Sequence, residues 1–266
     1  MTTAPYQWPG RPRRQSGKGK PQTLVFDMNK LPWQATDNPG LMLKPVRHDD
    51  KRGLYLGLVK FAAFTRSGLH QHQGVATSFV IEGGLTDYHG SLLLHEVGIN
   101  LKGATHDAIA YADTVLVSRL EGPVLYMPGG DISGVHAGSR HERFANPDIH
   151  AAPEINVPAD AVPAYETGVP GIRRQMLFDY SGTGSAHRML QWRLLPGASA
   201  RFAASGQTEF WVRAGTVSVN GVAAYANHIV VCEAGARVEL VSDFGASLIV
   251  WAEGPETGSG GSLLGF

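Results

Sequence analysis

Apolar positions along the chain fall into short runs and form no helical stripe. "LYLGLVKF", "TSFVIEG", "TVLVSRLEG", "RMLQWRLLPG", "TEFWVRAG", "VSVNGV", "HIVVCEAG" and "SLIVWAEG" are rich in Val, Phe, Leu and Tyr. Gly, Pro, Asn and Asp interrupt them at intervals of roughly 8 to 12 residues, the rhythm of a β-sandwich or barrel. The pattern therefore predicts an all-β chain.

The two ends and one internal stretch depart from this rhythm. Residues 1–21 combine Arg11, Arg13, Arg14, Lys18 and Lys20 with Gly, Pro, Ser and Gln, a composition with little to bury, and are expected to form a flexible basic arm. Residues 129–165, rich in Gly, Ala and Pro, read as a linker, and residues 257–266, "TGSGGSLLGF", as a flexible tail. His136, His141 and His150 lie in that linker, where histidines without a rigid frame are normally solvated.

Sliding the chain against itself by 132 residues exposes an internal repeat. Leu58 then meets Leu190, Gly74 meets Gly206, Phe79 meets Trp211, Val80 meets Val212, Gly83 meets Gly215, Gly103 meets Gly235 and Leu116 meets Leu248. "LVSRLEGP" falls on "LIVWAEGP" without a gap. Two copies of one β domain are expected, at residues 22–128 and 166–256.

Composition narrows the partners. Lys plus Arg number 23 and Asp plus Glu number 23, so no global field favours nucleic acid or an anionic membrane. Cys232 is the single cysteine, which excludes an intrachain disulfide framework and a multi-thiolate zinc site and fits a reducing compartment. With no apolar run long enough for a membrane span and no secretory-type N-terminus, a cytoplasmic protein is expected.

The repeat also singles out chemistry. In "GLHQHQGVATSFVIEGGL", His70 and His72 sit on alternate positions, so on a strand they project to one side, about 7 Å apart along the chain. His106 follows the Gly103 turn in "LKGATH". In the second copy these three become Phe202, Ala204 and Val238, while the glycines and the apolar frame persist. The histidines thus behave as a set, and neutral imidazoles in such a set suit a metal ion. Glu96 and Asn100 share one face of the preceding strand if it is regular, which makes them candidate catalytic residues, with Glu96 a base or fourth ligand. Arg119, Arg193 and Tyr111 are candidates to position an anionic substrate, Phe79, Ile81, Leu101 and Tyr111 to line a barrel interior, and Asp87 and Tyr88 carry no assigned role.

These segments resemble the two cupin motifs. His70, His72 and Gly84 match G-x5-H-x-H-x3,4-E-x6-G, and Gly103 with His106 matches the core of G-x5-P-x-G-x2-H-x3-N. The resemblance implies two tandem jelly-roll β-barrels, the C-terminal one degenerate and without metal ligands. Ala76 or Thr77 stands where the motif has its glutamate, His95 and Leu101 replace its second-motif glycine and proline, and Ala110 replaces its asparagine. A site of three histidines without the glutamate is similar to the branch with acetylacetone-cleaving dioxygenase, 2,4'-dihydroxyacetophenone dioxygenase and the cupin-type anti-sigma factors.

That likeness implies an Fe(II)-dependent dioxygenase using O2 to cleave a C–C bond in a small β-dicarbonyl or hydroxyaryl ketone. Ligand type alone also suits Zn, Ni, Mn or Cu and a lyase, isomerase or hydrolase reaction. A cupin sensor or binding protein is the third alternative, and the chain is compatible with a homodimer.

Overall fold

In the computed structural model the described residues are 13–14, 21–87, 90–126, 155–180, 187–253, 256–257 and 263. Among them the regular elements are β-strands and one 3-10 turn at Ala159–Ala161. No helix among them is long and apolar enough to cross a membrane. The basic arm apart from Arg13–Arg14 and Pro21, the linker histidines, Tyr88 and His89 lie outside the described residues.

The chain divides into two compact units, one of Pro32–Asp160 and one of Met1–Leu31 with Ala161–Phe266. In the first, seven strands run in the order Ile155–Pro158, Glu96–Asn100, Ala76–Glu82, Thr114–Glu121, Leu54–Phe61, Leu41–Asp49 and Gln34–Ala35. A small sheet of Thr105–His106, His70–His72 and Val124–Tyr126 and a hairpin of Leu85–Asp87 with Gly90–Leu92 complete the unit. The central strands of the large sheet are buried on both faces, which explains why their sequences read as near-continuous apolar runs. Side chains at alternate positions still divide cleanly. Ala76, Ser78, Gly98, Asn100, Leu116 and Ser118 face the interior cavity, whereas Thr77, Phe79, Val97, Ile99, Val117 and Arg119, buried on the other face, do not line it.

The second unit repeats the plan. Its main sheet orders Thr23–Asp27, His228–Cys232, Thr208–Val219, Ala246–Glu253, His187–Leu194 and Ile172–Asp179, while Ala198–Ala204 pairs with Arg237–Ser242. The 132-residue offset survives in the hydrogen-bond register: Val80 pairs with Leu116 and Val212 with Leu248. It survives in the backbone too, for Gly83 and Gly215 turn with φ of 70° and 75°. A Cβ at either would meet a carbonyl oxygen, of Asp113 at 2.4 Å or of Gly245 at 2.2 Å.

Three boundaries differ from the sequence reading. Residues 22–31 belong with the second unit, because Thr23–Asp27 adds to its sheet against His228–Cys232 and seats Val25 in its core. Ile155–Pro158, placed by composition in a linker, is the edge strand beside Glu96–Asn100. Within the stretch read as a flexible tail, Thr257 pairs, with Glu256, against Ala203–Ala204, and Leu263 is buried in the core with its carbonyl accepting the Trp192 indole N–H at 3.1 Å. That bond satisfies a buried donor set among apolar side chains.

Candidate metal centre

His70 and His72 flank Gln71 on one three-residue strand, and alternation turns both imidazoles to the same side. The strand Thr105–His106 pairs antiparallel with it, so His106 lies directly across from His70. The side chains are buried, and their Nε2 atoms form a triangle: 3.0 Å between His106 and His70, 3.1 Å between His72 and His106, and 3.3 Å between His70 and His72.

The outer ring nitrogens decide what that triangle is. Nδ1 of His70 lies 2.6 Å from the carbonyl oxygen of Gly68, and Nδ1 of His106 lies 3.0 Å from Oδ2 of Asp87. A carbonyl and a carboxylate only accept, so both Nδ1 atoms carry the proton and both Nε2 atoms present bare lone pairs. Two lone pairs at 3.0 Å cannot bond each other. They need a cation between them. For a metal–nitrogen distance of about 2.1 Å, ligands at right angles stand about 3.0 Å apart and tetrahedral ligands about 3.4 Å, and the triangle falls in that interval. The donor set therefore fits one divalent ion on a facial set of three imidazoles.

Electrostatics supports the neutral form. Burial, reinforced by the neighbouring His106, pushes His70 down to about 3. Burial and then His70 and His106 hold His72 well below the ordinary histidine value. Both are thus free of the proton that would compete with a metal at neutral pH.

Other residues hold the frame. Asp107 accepts from the backbone N–H of Gly68 at 3.0 Å and pairs with Arg66 at 2.5 Å, fixing the loop whose Gly68 carbonyl orients His70. Burial raises the Asp107 carboxyl, opposed by the Arg66 guanidinium. The hairpin carrying Asp87 is tied down by Thr86, which forms a bridge with Ile109.

The sequence-derived candidates separate here. His70, His72 and His106 come together. Asn100 lines the same cavity, buried, with Oδ1 lacking a hydrogen-bond partner among the described residues. Glu96 is not brought to the site: it begins the strand that Asn100 ends, about 13 Å away at 3.3 Å per residue, and its Oε2 accepts from the N–H of Leu93 at 2.8 Å. Arg119 pairs with Glu121 on the opposite face of its strand, Arg193 donates to Gln175 at 2.8 Å in the second unit, and Tyr111 is exposed. Phe79, Ile81, Leu101 and Tyr111 do not line the cavity, whose walls are the residues one position out of phase with Phe79. Asp87 was missed as a functional residue; its only sequence signal was an acidic residue beside a turn.

The cavity measures about 980 Å³ and opens over the three histidines. Among the described residues the second unit has no counterpart of the site. Phe202 pairs across the ladder with Val238, as His70 does with His106, and both are packed in an apolar core with Trp192, Phe210 and Leu240.

A doubled jelly-roll barrel with a histidine cluster inside one copy is the fold of a bicupin. Residues 21–125 match the family described as the ChrR cupin-like domain. No curated protein matches the chain. Among solved structures it is similar to a candidate dioxygenase of Nostoc punctiforme, with a TM-score of 0.67 and 13% identity over 87% of this chain and 82% of that one. It is also similar to salicylate 1,2-dioxygenase of Pseudoaminobacter salicylatoxidans, with a TM-score of 0.62 and 15% identity over 89% and 82% of the two chains. Oxalate decarboxylase of Lactobacillus farciminis gives a TM-score of 0.61 and 10% identity over 95% and 92%. At these identities the likeness is one of fold.

Proposed function

We propose that His70, His72 and His106 hold one Fe(II) ion and that the chain is a dioxygenase, cleaving a C–C bond in a small β-dicarbonyl or hydroxyaryl ketone. The observation that carries this reading is the triangle of Nε2 atoms with edges of 3.0 to 3.3 Å, two of them left unprotonated by the Nδ1 contacts to Gly68 and Asp87, and no carboxylate in the set among the described residues. The fold shared with a candidate dioxygenase and with salicylate 1,2-dioxygenase supports it.

His70, His72 and His106 would hold the divalent ion as three neutral ligands, and the ion would supply Lewis-acid and oxygen chemistry to an enolate or hydroxyketone. The protein's part is to place and shield. Gly68 and Asp87 fix the tautomers of His70 and His106, burial keeps His70 and His72 neutral, and Ala76 and Gly98 leave room on the cavity wall for substrate. In the overall reaction one C–C bond breaks and each fragment receives one oxygen atom of O2.

Metal content per chain, measured on untagged protein and on the His70→Ala, His72→Ala, His106→Ala triple variant, tests the site. About one metal per chain, lost in the variant, is expected. Iron-dependent oxygen uptake with such ketones is expected to follow, and its absence across the panel would count against the oxygenase. Because oxalate decarboxylase shares the fold, turnover that persists without O2 would assign the same site to a non-oxidative reaction with zinc, nickel or manganese.

A further inference from the structure

The two barrels keep the same ladder pairings and fill them differently. In the first, one rung of inward-facing positions across the large sheet runs Gly98, Ser78 and Ser118. The matching rung of the second runs Val230, Phe210 and Val250, all packed in its core. On the next rung Leu116 meets Val59 where Leu248 meets Trp192. Smaller side chains thus stand in the first barrel at four matched positions, Gly98, Ser78, Ser118 and Val59, and all four line its cavity of about 980 Å³.

The space so opened has an apolar wall. Ser78 and Ser118 bond each other at 2.7 Å. Beside that pair, Leu41, Val59, Phe61, Leu85, Leu92 and Leu116 line the cavity and pack as one cluster. Leu41, Val59 and Leu85 are only half-buried although they belong to the interior. Apolar surface left uncovered inside a barrel is surface that a ligand gains by covering.

This wall reaches the histidines through one strand. Leu85 and Asp87 both line the cavity, two residues and about 7 Å apart, and Asp87 bonds His106. Leu92 pairs with Leu85 and lies over Gly98, where an added Cβ would meet its Cδ2 at 2.7 Å. On the large sheet, Val59 and Phe61 continue the same surface for two residues, about 7 Å, and Leu41 pairs with Phe61 at the far end. The wall follows the strands, so an extended chain covers more of it than a compact group chelated at the histidines.

Resting on the metal reading above, we propose that the first barrel takes a chelating ketone with an elongated aliphatic chain. The head binds at the histidines, and the chain runs along Leu85, Leu92, Leu116, Val59 and Phe61, in space that the second barrel fills with side chains such as Phe210 and Trp192. Val59, Ser78 and Gly98 are specificity-determining positions, because their small size leaves the room.

Zinc-loaded protein, which cannot carry out oxygen chemistry, isolates recognition from turnover. The probes are pentane-2,4-dione, heptane-2,4-dione, nonane-2,4-dione and undecane-2,4-dione, which share one chelating head, titrated by calorimetry. Affinity is expected to rise about three- to fourfold with each buried methylene, or about tenfold between successive probes. Ser78→Phe and Val59→Trp, which install the second barrel's side chains, are expected to hold about one zinc per chain, bind pentane-2,4-dione as the parent does, and lose the increment. Ser78→Ala, which removes the hydroxyl without adding bulk, is expected to keep it.

Affinities independent of chain length in the parent would overturn the proposal, as would an increment that survives in both filled variants. The parent's series decides the matter even where a filled variant does not fold. Failure of the metal reading shows separately, as zinc well below one per chain or as affinities indifferent to its removal, while the increment per methylene still reports the chain's site.

Discussion

Asp87 accepts a hydrogen bond from Nδ1 of His106 at 3.0 Å, although 19 residues separate them and they lie on different sheets. The contact selects the tautomer in which Nε2 faces the cluster. It is the clearest link between the fold of the first unit and its chemistry.

Asp87→Asn should therefore lower divalent metal affinity by about 10- to 100-fold without removing any of the three histidines. Competition with a chelator reads this directly. An unchanged affinity would mean that His106 is oriented by packing alone.

Acid should destabilise the metal-free protein in a definite window. The fold depresses His70 from 6.5 to about 3, so the unfolded chain takes up a proton that the folded chain refuses. The neutral histidine's contribution is complete above about pH 6.5 and is lost progressively as pH falls toward 3. Urea midpoints at about pH 7.5 and about pH 5 should fall further for chelator-treated wild type than for a His70→Gln, His72→Gln variant. Equal losses in the two proteins would sink the assignment.

Ala76 faces the cavity and Thr77 the opposite, fully buried face. Of the two positions that match the motif glutamate, only Ala76 can add a carboxylate to the site. Ala76→Glu is expected to raise affinity for divalent metals in the same chelator assay. Thr77→Glu places an unpaired charge in a dry environment and should cost several kcal/mol of stability or prevent folding. A tighter site in Thr77→Glu, and not in Ala76→Glu, would invert the facing described above.

Cys232 lies in the core of the second unit, and burial pushes its thiol up to about 12. Thiolate is the reactive form. A maleimide should leave the native protein unlabelled and modify one thiol per chain after unfolding in urea. Rapid labelling of the native state would contradict the packing around this strand.

The three histidines were legible because each signal was local or repeated. Alternation aims His70 and His72 together, and the 132-residue offset shows Phe202 and Val238 where His70 and His106 stand. The strongest apolar runs became strands with little change: "LYLGLVKF" is the strand Leu54–Phe61.

What escaped was non-local. Asp87 reaches His106 only through a hairpin bridged at Thr86 to Ile109. Thr23–Asp27 pairs with a strand some two hundred residues downstream, and sequence pattern specifies that a strand forms without naming its partner. Ala198–Ala204, "ASARFAA", lacks the β-branched signature and is held by pairing with Arg237–Ser242. Glu96 shares a face with Asn100, as read, yet face alone does not fix depth: one end of the strand meets the cavity and the other a turn.

The indole N–H of Trp192 donates to the carbonyl of Leu263, whose own side chain is buried in the core of the second unit. Leu263 thereby occupies its barrel much as an exogenous compound would occupy the other. A tethered occupant has an effective concentration that dilution cannot lower, so the second barrel's melting temperature should ignore added small molecules. The first barrel should track them, rising with ligand by mass action. One chain thus holds two copies of a single architecture, one filled by its own Leu263 and one whose stability reports what the surroundings offer.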